Sequence, residues 1–234
     1  MEPTAPDIHS RAAWVSLGSA ISFLVLLSLL QVLEPELRIG HLIGEFERSP
    51  HGWLMSLALL TLGISSATSY LAIRRAVSGA GGLAARWLCV IAVAYAGAAM
   101  FRPDTADGFV LRDPVTPSPV ACLHALCGLL IITTSPIAFT IVSRSLARDR
   151  RWQIVARRVD AITFLPWFGL VSFVAALAAF GLTQPRTLIW IRAVVFVSAA
   201  NRVLIVTYCV WLIAMALSAL DLQRASSPKN ANFT

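Results

Sequence analysis

Apolar residues in this chain come in long unbroken runs, without the every-second alternation of a half-buried strand or the one-sided stripe of a soluble helix. Six runs stand out: Trp14 to Leu33, Trp53 to Ile73, Leu83 to Phe101, Cys122 to Val142, Ala161 to Leu182 and Val203 to Leu220. Each is close to the roughly 20 residues a helix needs to cross a hydrocarbon core about 30 Å thick. Open strands would leave backbone groups unpaired in lipid, and barrel strands would alternate, so the runs are read as helices. The expected fold is all-α, an integral membrane bundle of six transmembrane helices filling 14–220, with short tails at 1–13 and 221–234. The first run is retained as a helix, because it follows the acidic start "MEPTAPD" and runs into "EPEL" without a small-residue cleavage site.

The last run is the irregular one. From Thr187 to Leu220 the apolar stretch covers 34 residues, broken by Asn201 and Arg202. As one straight helix it would measure about 50 Å, too long for one crossing and too short for two with a turn. Leu188 to Ala200 is therefore expected to form a lid or a helix extension, with Arg202 near the mouth of the last span. An arginine at that depth needs a partner, and Glu45 and Asp104 are the nearest carboxylate candidates.

Composition agrees with the pattern. The chain is 57% hydrophobic and 13% charged with mean hydropathy +0.74, whereas soluble domains carry about 25% charged residues. A net charge of +7 and a pI near 10.1 would suit nucleic acid, but the basic residues sort by membrane side instead. Twelve of the 19 fall at the termini and in the second and fourth loops, which places both termini in the cytoplasm by the positive-inside rule. No nucleic-acid partner is expected, and the address is the inner (cytoplasmic) membrane of a bacterium, as the arginine-rich and alanine-rich usage suggests. The fourth loop holds Arg144, Arg148, Arg150, Arg151, Arg157 and Arg158, with Trp152, Val155 and Val159 at helical spacing among them. That is an interfacial-helix pattern suited to an anionic inner leaflet; the plainer reading is a solvated loop that sets topology.

Local signals refine the bundle. Small residues in "AVAYAGAAMF" and "ALAAFG" allow close helix approach. Pro136 and Pro166 should kink or open the fourth and fifth helices. "SGAGG" at Ser78 to Gly82 reads as a hairpin turn. Cys89, Cys122, Cys127 and Cys209 lack disulfide or zinc spacing and are read as small buried hydrophobes, so neither metal nor cofactor is expected.

Three stretches together resemble a known family. "HLIGEFERSPHGWLMSLALLTLG", "FRPDTADG" with "ACLHALCG", and "NRVLIVTYCVWL" are similar to the bacterial six-helix membrane proteins of domain-of-unknown-function family 998, over about residues 15 to 220. The resemblance aligns Gly44, Glu45 and Phe46, then Gly52 and Trp53, with the end of that family's first loop. Phe101 and Asp104 match its Phe-x-x-Asp element, His124 the histidine that opens the fourth helix, and Asn201 with Arg202 the pair that opens the sixth. Gly44 stands where the family has serine, and Asn201 where it has glutamine. A fainter similarity to eukaryotic six-span proteins of the Frag and DRAM kind points toward lipids. The family lends no activity.

The ionisable residues outside the spans give the candidate chemistry. Glu45, Glu47, Arg48 and His51, then Arg102, Asp104, Asp107, Arg112 and Asp113, then His124 and Arg202 come from four elements on the outward side. One reading is a lipid or small-ligand site of Glu45, Asp104, His124 and Arg202. In it Arg202 meets a headgroup phosphate, and Asp104 and His124 are the catalytic candidates if the protein hydrolyses or transfers a lipid. A second is a noncatalytic scaffold or accessory subunit whose outer charges pair with one another. A third is a small transporter, with Thr133, Thr134 and Ser135 beside Pro136 along a path. The balance leans away from an enzyme.

Overall fold

A computed structural model describes residues 8–38, 40–74, 77, 79–102, 118–150, 152–182 and 188–225. Among these residues seven α-helices follow in order: α1 (Ile8–Leu33), α2 (Gly52–Ile73), α3 (Gly79–Met100), α4 (Pro119–Arg148), α5 (Gln153–Ile162), α6 (Phe164–Gly181) and α7 (Leu188–Ala225). Two 3-10 turns, η1 (Pro35–Arg38) and η2 (Ile43–Arg48), lie between α1 and α2. Six stretches are long and apolar enough to cross a membrane, the fifth of them running from Arg158 in α5 to the end of α6. No strand occurs among the described residues. The chain is an all-helical, six-span bundle. Its two ends are called here the loop end, where α1 hands over to α2, and the α5 end.

Burial identifies the centre. Two-thirds of the most apolar window of α7 is buried (67%), against 28–44% in the other five spans. The chain wraps α1, α2 and α3 in sequence, and α1, α2, α4, α5 and α6 all touch α7. The expectation that 188–200 is a lid or an extension resolves to an extension. Leu188 to Ala225 is one helix of 38 residues, about 57 Å long, with Arg202 14 residues past its start. Asn201 and Arg202 do not break it because the α1–α2 loop satisfies them, as described below.

Close approaches explain several small residues. A side chain at Gly169 would meet Thr207 Oγ1 at 2.7 Å and Leu204 Cα at 2.9 Å, so α6 lies directly on α7. At Gly63 it would meet the Ala92 carbonyl at 3.1 Å, which fixes α2 against α3. Between α1 and α2, Ser16 Oγ lies 3.1 Å from Ser65 Oγ and 2.8 Å from Ser69 Oγ, and Ser65 donates to the Ser16 carbonyl at 3.0 Å. Such interhelical hydrogen bonds contribute about 0.6 kcal/mol each in lipid.

Pro136 sits inside α4 without ending it. Proline has no N–H, so the carbonyl four residues back, Ile132, loses its helical donor. Tyr208 of α7 supplies one, its hydroxyl donating to the Ile132 carbonyl at 2.8 Å. Phe139 stacks on Trp211 at 4.0 Å and meets Tyr208 edge-on at 5.7 Å, so an aromatic wedge joins α4 to α7 at this depth. Pro166 has a plainer effect. The residue four before it is Ile162, where α5 ends, and the chain turns at Thr163 before α6.

Three local expectations change. Within the glycine-rich stretch at 78–82, the described residues from Gly79 open α3 instead of forming a turn; a side chain at Gly81 would collide with Ser145 of α4, so the two helix ends nest there. The arginine-rich loop does form a helix, α5, but Trp152, Val155 and Val159 are buried in the protein's own core rather than turned to lipid. Cys122 is exposed, because the stretch of α4 from Pro119 to Leu130 buries no residue fully. Cys209 is buried, and Cys89 and Cys127 are half-buried.

Candidate functional site

The loop end is built by folding the α1–α2 segment back against the bundle. Gly40 makes the bend between η1 and η2 with φ +87°, a left-handed conformation that favours glycine, and packs against Val194 of α7. Gly52 opens α2 with the Glu47 carbonyl so close that a Cβ would collide with its oxygen. Phe46 is fully buried beneath the turn. The segment η2 is thus pinned over α2, α4 and α7.

Arg202 is the anchor on α7. Its Nη1 donates to the His41 carbonyl at 3.1 Å, to the Ser198 carbonyl at 2.9 Å and to Ser198 Oγ; its Nη2 donates to the Leu37 carbonyl at 3.0 Å. The guanidinium lies over the Phe46 ring, 5.7 Å from its centre. Ser198 Oγ also donates to the His41 carbonyl at 2.8 Å, and the Asn201 side-chain oxygen accepts from the Ile43 N–H at 2.9 Å. The charge therefore meets backbone carbonyls first, and Glu45 is the carboxylate whose field it feels. Its Nε is buried without a hydrogen-bond partner.

The acids face histidines. Glu45 Oε2 lies 2.6 Å from His41 Nδ1, while Oε1 is buried and unpartnered. Glu34 Oε1 lies 2.7 Å from His51 Nδ1, which ties the end of α1 to the start of α2; the hydrogen bond from His51 holds the Glu34 carboxyl below the usual carboxylate range. Glu47 is 3% exposed, and neither of its carboxyl oxygens has a hydrogen-bond partner. Burial pushes it up to about 8, opposed by Arg102, the Ser56 hydroxyl and Arg48. It is thus a neutral carboxylic acid at pH 7.

His124, in the second turn of α4, lies beside this acid with Nδ1 3.6 Å from Glu47 Oε2. Its closer partners are the last carbonyls of α3, Phe101 at 2.9 Å and Ala98 at 3.1 Å. Carbonyls only accept, so Nδ1 carries the proton and caps the open end of α3. On the other side of the ring, a Cβ at Gly44 would meet Nε2 at 2.9 Å. Gly44 is the residue that lets η2 lie against the imidazole.

Of the four residues singled out from sequence, Glu45 and Arg202 come together under η2, and His124 abuts the same turn from α4. Asp104 lies outside the described residues, as do Asp107, Arg112 and Asp113. Sequence reasoning undervalued Glu47 and missed His41, Ser198 and Tyr208. Ser198 is one helical turn before Arg202, a spacing that could have flagged it; nothing in the sequence ties Tyr208 to Pro136 across 72 residues. Thr133, Thr134 and Ser135 donate to the carbonyls four residues back, at 2.8, 2.6 and 2.6 Å. Among the described residues no group of His, Cys, Asp or Glu is arranged to hold a metal ion.

Fold and site define a multi-pass helical membrane protein whose buried carboxyl groups, Glu45 and Glu47, gather at one end in a loop folded into the bundle. The chain belongs to the family described as protein of unknown function (DUF998), whose family model matches residues 17–218. No curated protein and no solved structure matches it.

Proposed function

We propose that the loop end is a binding site for a lipid headgroup or a small polar ligand, formed by the α1–α2 loop, the start of α4 and Arg202 of α7, with Glu45, His124 and Arg202 around it; Asp104, singled out with them from sequence, lies outside the described residues. One observation carries the reading: Glu45 Oε1, both Glu47 oxygens and Arg202 Nε are buried with no partner. Buried polar atoms are ordinarily satisfied, and each orphan costs about 1–3 kcal/mol. A ligand that reached them would recover that cost. Binding suits the site better than catalysis, because Nδ1 of His124 is held by the carbonyls at the end of α3 and Nε2 is covered by Gly44. With both termini cytoplasmic, as the arginine distribution implies, this end faces outward from the inner membrane, and the arginines of the α4–α5 segment meet the anionic inner leaflet.

Native mass spectrometry of protein extracted in mild detergent tests this. The parent is expected to retain a bound small molecule that Glu45→Gln with Glu47→Leu loses; equal spectra from both proteins remove the reading. Labelling of cysteines placed at residues 50 and 150 in intact cells tests the orientation, with position 50 expected to react first.

A second reading has its own observation. Arg202 binds the Leu37 and His41 carbonyls, and His124 caps α3, so both also clasp the bundle. A scaffold or accessory subunit needs no more than that, and it predicts no retained ligand.

A further inference from the structure

Resting on the ligand-site reading, we infer that the group received at Glu45 and Glu47 is a primary ammonium, carried on a lipid headgroup or on a free small amine. The unpartnered atoms are unequal in kind. Three are carboxyl oxygens, against two donors, a guanidinium nitrogen and the Ser56 hydroxyl beside Glu47. The rest of the guanidinium is engaged, with Nη1 on His41 and Ser198 and Nη2 on Leu37, so Arg202 offers little of the two-pronged edge that phosphate recognition uses. Acceptors outnumber donors at the turn, and none of the unpartnered donors beside Glu47 carries a positive charge. A primary ammonium brings three N–H groups and a positive charge, whereas a trimethylammonium brings charge without a donor and a glycerol headgroup brings hydroxyls without charge.

The surroundings of Glu47 suit an amine that bears an anion nearby. Arg48 faces the carboxyl from its own turn, Arg102 from the end of α3, His124 from α4 and the Ser56 hydroxyl from α2. Arg102 is exposed, placed to meet a phosphate joined to the amine by a short spacer. The exchange balances simply. The Glu47 carboxylic acid gives its proton to water, and the ammonium takes the proton's place as the counter-charge. No bond other than that O–H changes. The buried acid is neutral in the empty site, so binding is coupled to release of a proton, and apparent affinity must rise with pH. Only the ionised fraction accepts the cation, which makes binding roughly tenfold tighter for each pH unit gained below about 8.

The test is thermal unfolding of the full chain in nanodiscs whose host lipid is doped with phosphatidylethanolamine, phosphatidylcholine or phosphatidylglycerol of matched acyl chains, and in detergent with free phosphoethanolamine. The expected result is a higher Tm with phosphatidylethanolamine alone among the lipids, growing from pH 6 to pH 8. Glu47→Gln, which mimics the neutral acid and so keeps the fold, should lose that gain. Stabilisation by free phosphoethanolamine as well would make the ligand a soluble amine, and its absence would make it a lipid; both support the ammonium. Stabilisation by phosphatidylglycerol or phosphatidylcholine as strong as by phosphatidylethanolamine overturns the ammonium and leaves a ligand site standing. An undiminished gain in Glu47→Gln overturns the placement at Glu47. No stabilisation by any of the four sinks both readings.

Discussion

At the scale of single residues, the structure turns on polar groups that must be satisfied where water is scarce. Arg202 shows how a charge is tolerated inside a span: carbonyls of a folded-back loop stand in for water. Lysine's single ammonium lacks the planar two-nitrogen fork that spreads contacts over the Leu37, His41 and Ser198 carbonyls. Arg202→Lys should therefore lower stability by roughly 2–3 kcal/mol, the scale of charged hydrogen bonds, read as a lower Tm in detergent. Glu47 titrates the other way from most acids. Its folded value of about 8 lies above the ordinary 4.5, so the native state holds a proton that the unfolded state has lost. Stability is greatest below the unfolded value and falls as pH rises toward 8. Glu47→Gln should flatten that slope and raise Tm at pH 8 more than at pH 5. Tyr208→Phe should cost about 1 kcal/mol in the parent by freeing the Ile132 carbonyl. It should cost less in Pro136→Ala, where an N–H returns to the helix; a double-mutant cycle reads the coupling, and additive effects would refute the pairing.

At the scale of elements, legibility followed the length of the signal. The first five spans could be read within several residues because a continuous apolar run is its own evidence of a crossing. The sixth run was ambiguous because length and polarity disagreed, and only the loop packed against α7 shows why Asn201 and Arg202 leave the helix intact. Glycine-rich stretches misled for a related reason. Gly79 to Gly82 looked like a turn, yet helix contacts in lipid favour residues without side chains. The helix α5 was visible from its spacing, but the same spacing fits lipid or protein on its apolar face, and Trp152, Val155 and Val159 chose protein. The site was half legible: Glu45, His124 and Arg202 stood out as charges near apolar runs, whereas the role of Glu47 depends on burial that no local pattern records. Gly52→Ala belongs to this scale. The new methyl would strike the Glu47 carbonyl, lift η2 from α2 and abolish any ligand-dependent Tm gain at the loop end.

At the scale of the whole molecule, α7 is the most buried span, with α1, α2, α4, α5 and α6 packed against it. Composition and run length were enough to predict six spans, but not which would be central. Hydropathy offers a hint in retrospect, since the window in α7 has the highest mean value, 2.4 against 1.5 to 2.1 elsewhere; a helix hydrophobic all round is one that is buried all round. Its central position also has a consequence in time. Helix α7 is the last of the six spans to leave the ribosome, roughly 10–40 s after synthesis begins at ordinary elongation rates. Until then the serine faces of α1 and α2 can pair, but the carbonyls at Ile132, Leu37 and His41 have no donor from α7, and the inner faces of the early helices have no helix to close on. Assembly is therefore held back until the keystone arrives, and a nascent chain stopped before residue 188 should sit in the membrane as separate, protease-sensitive hairpins.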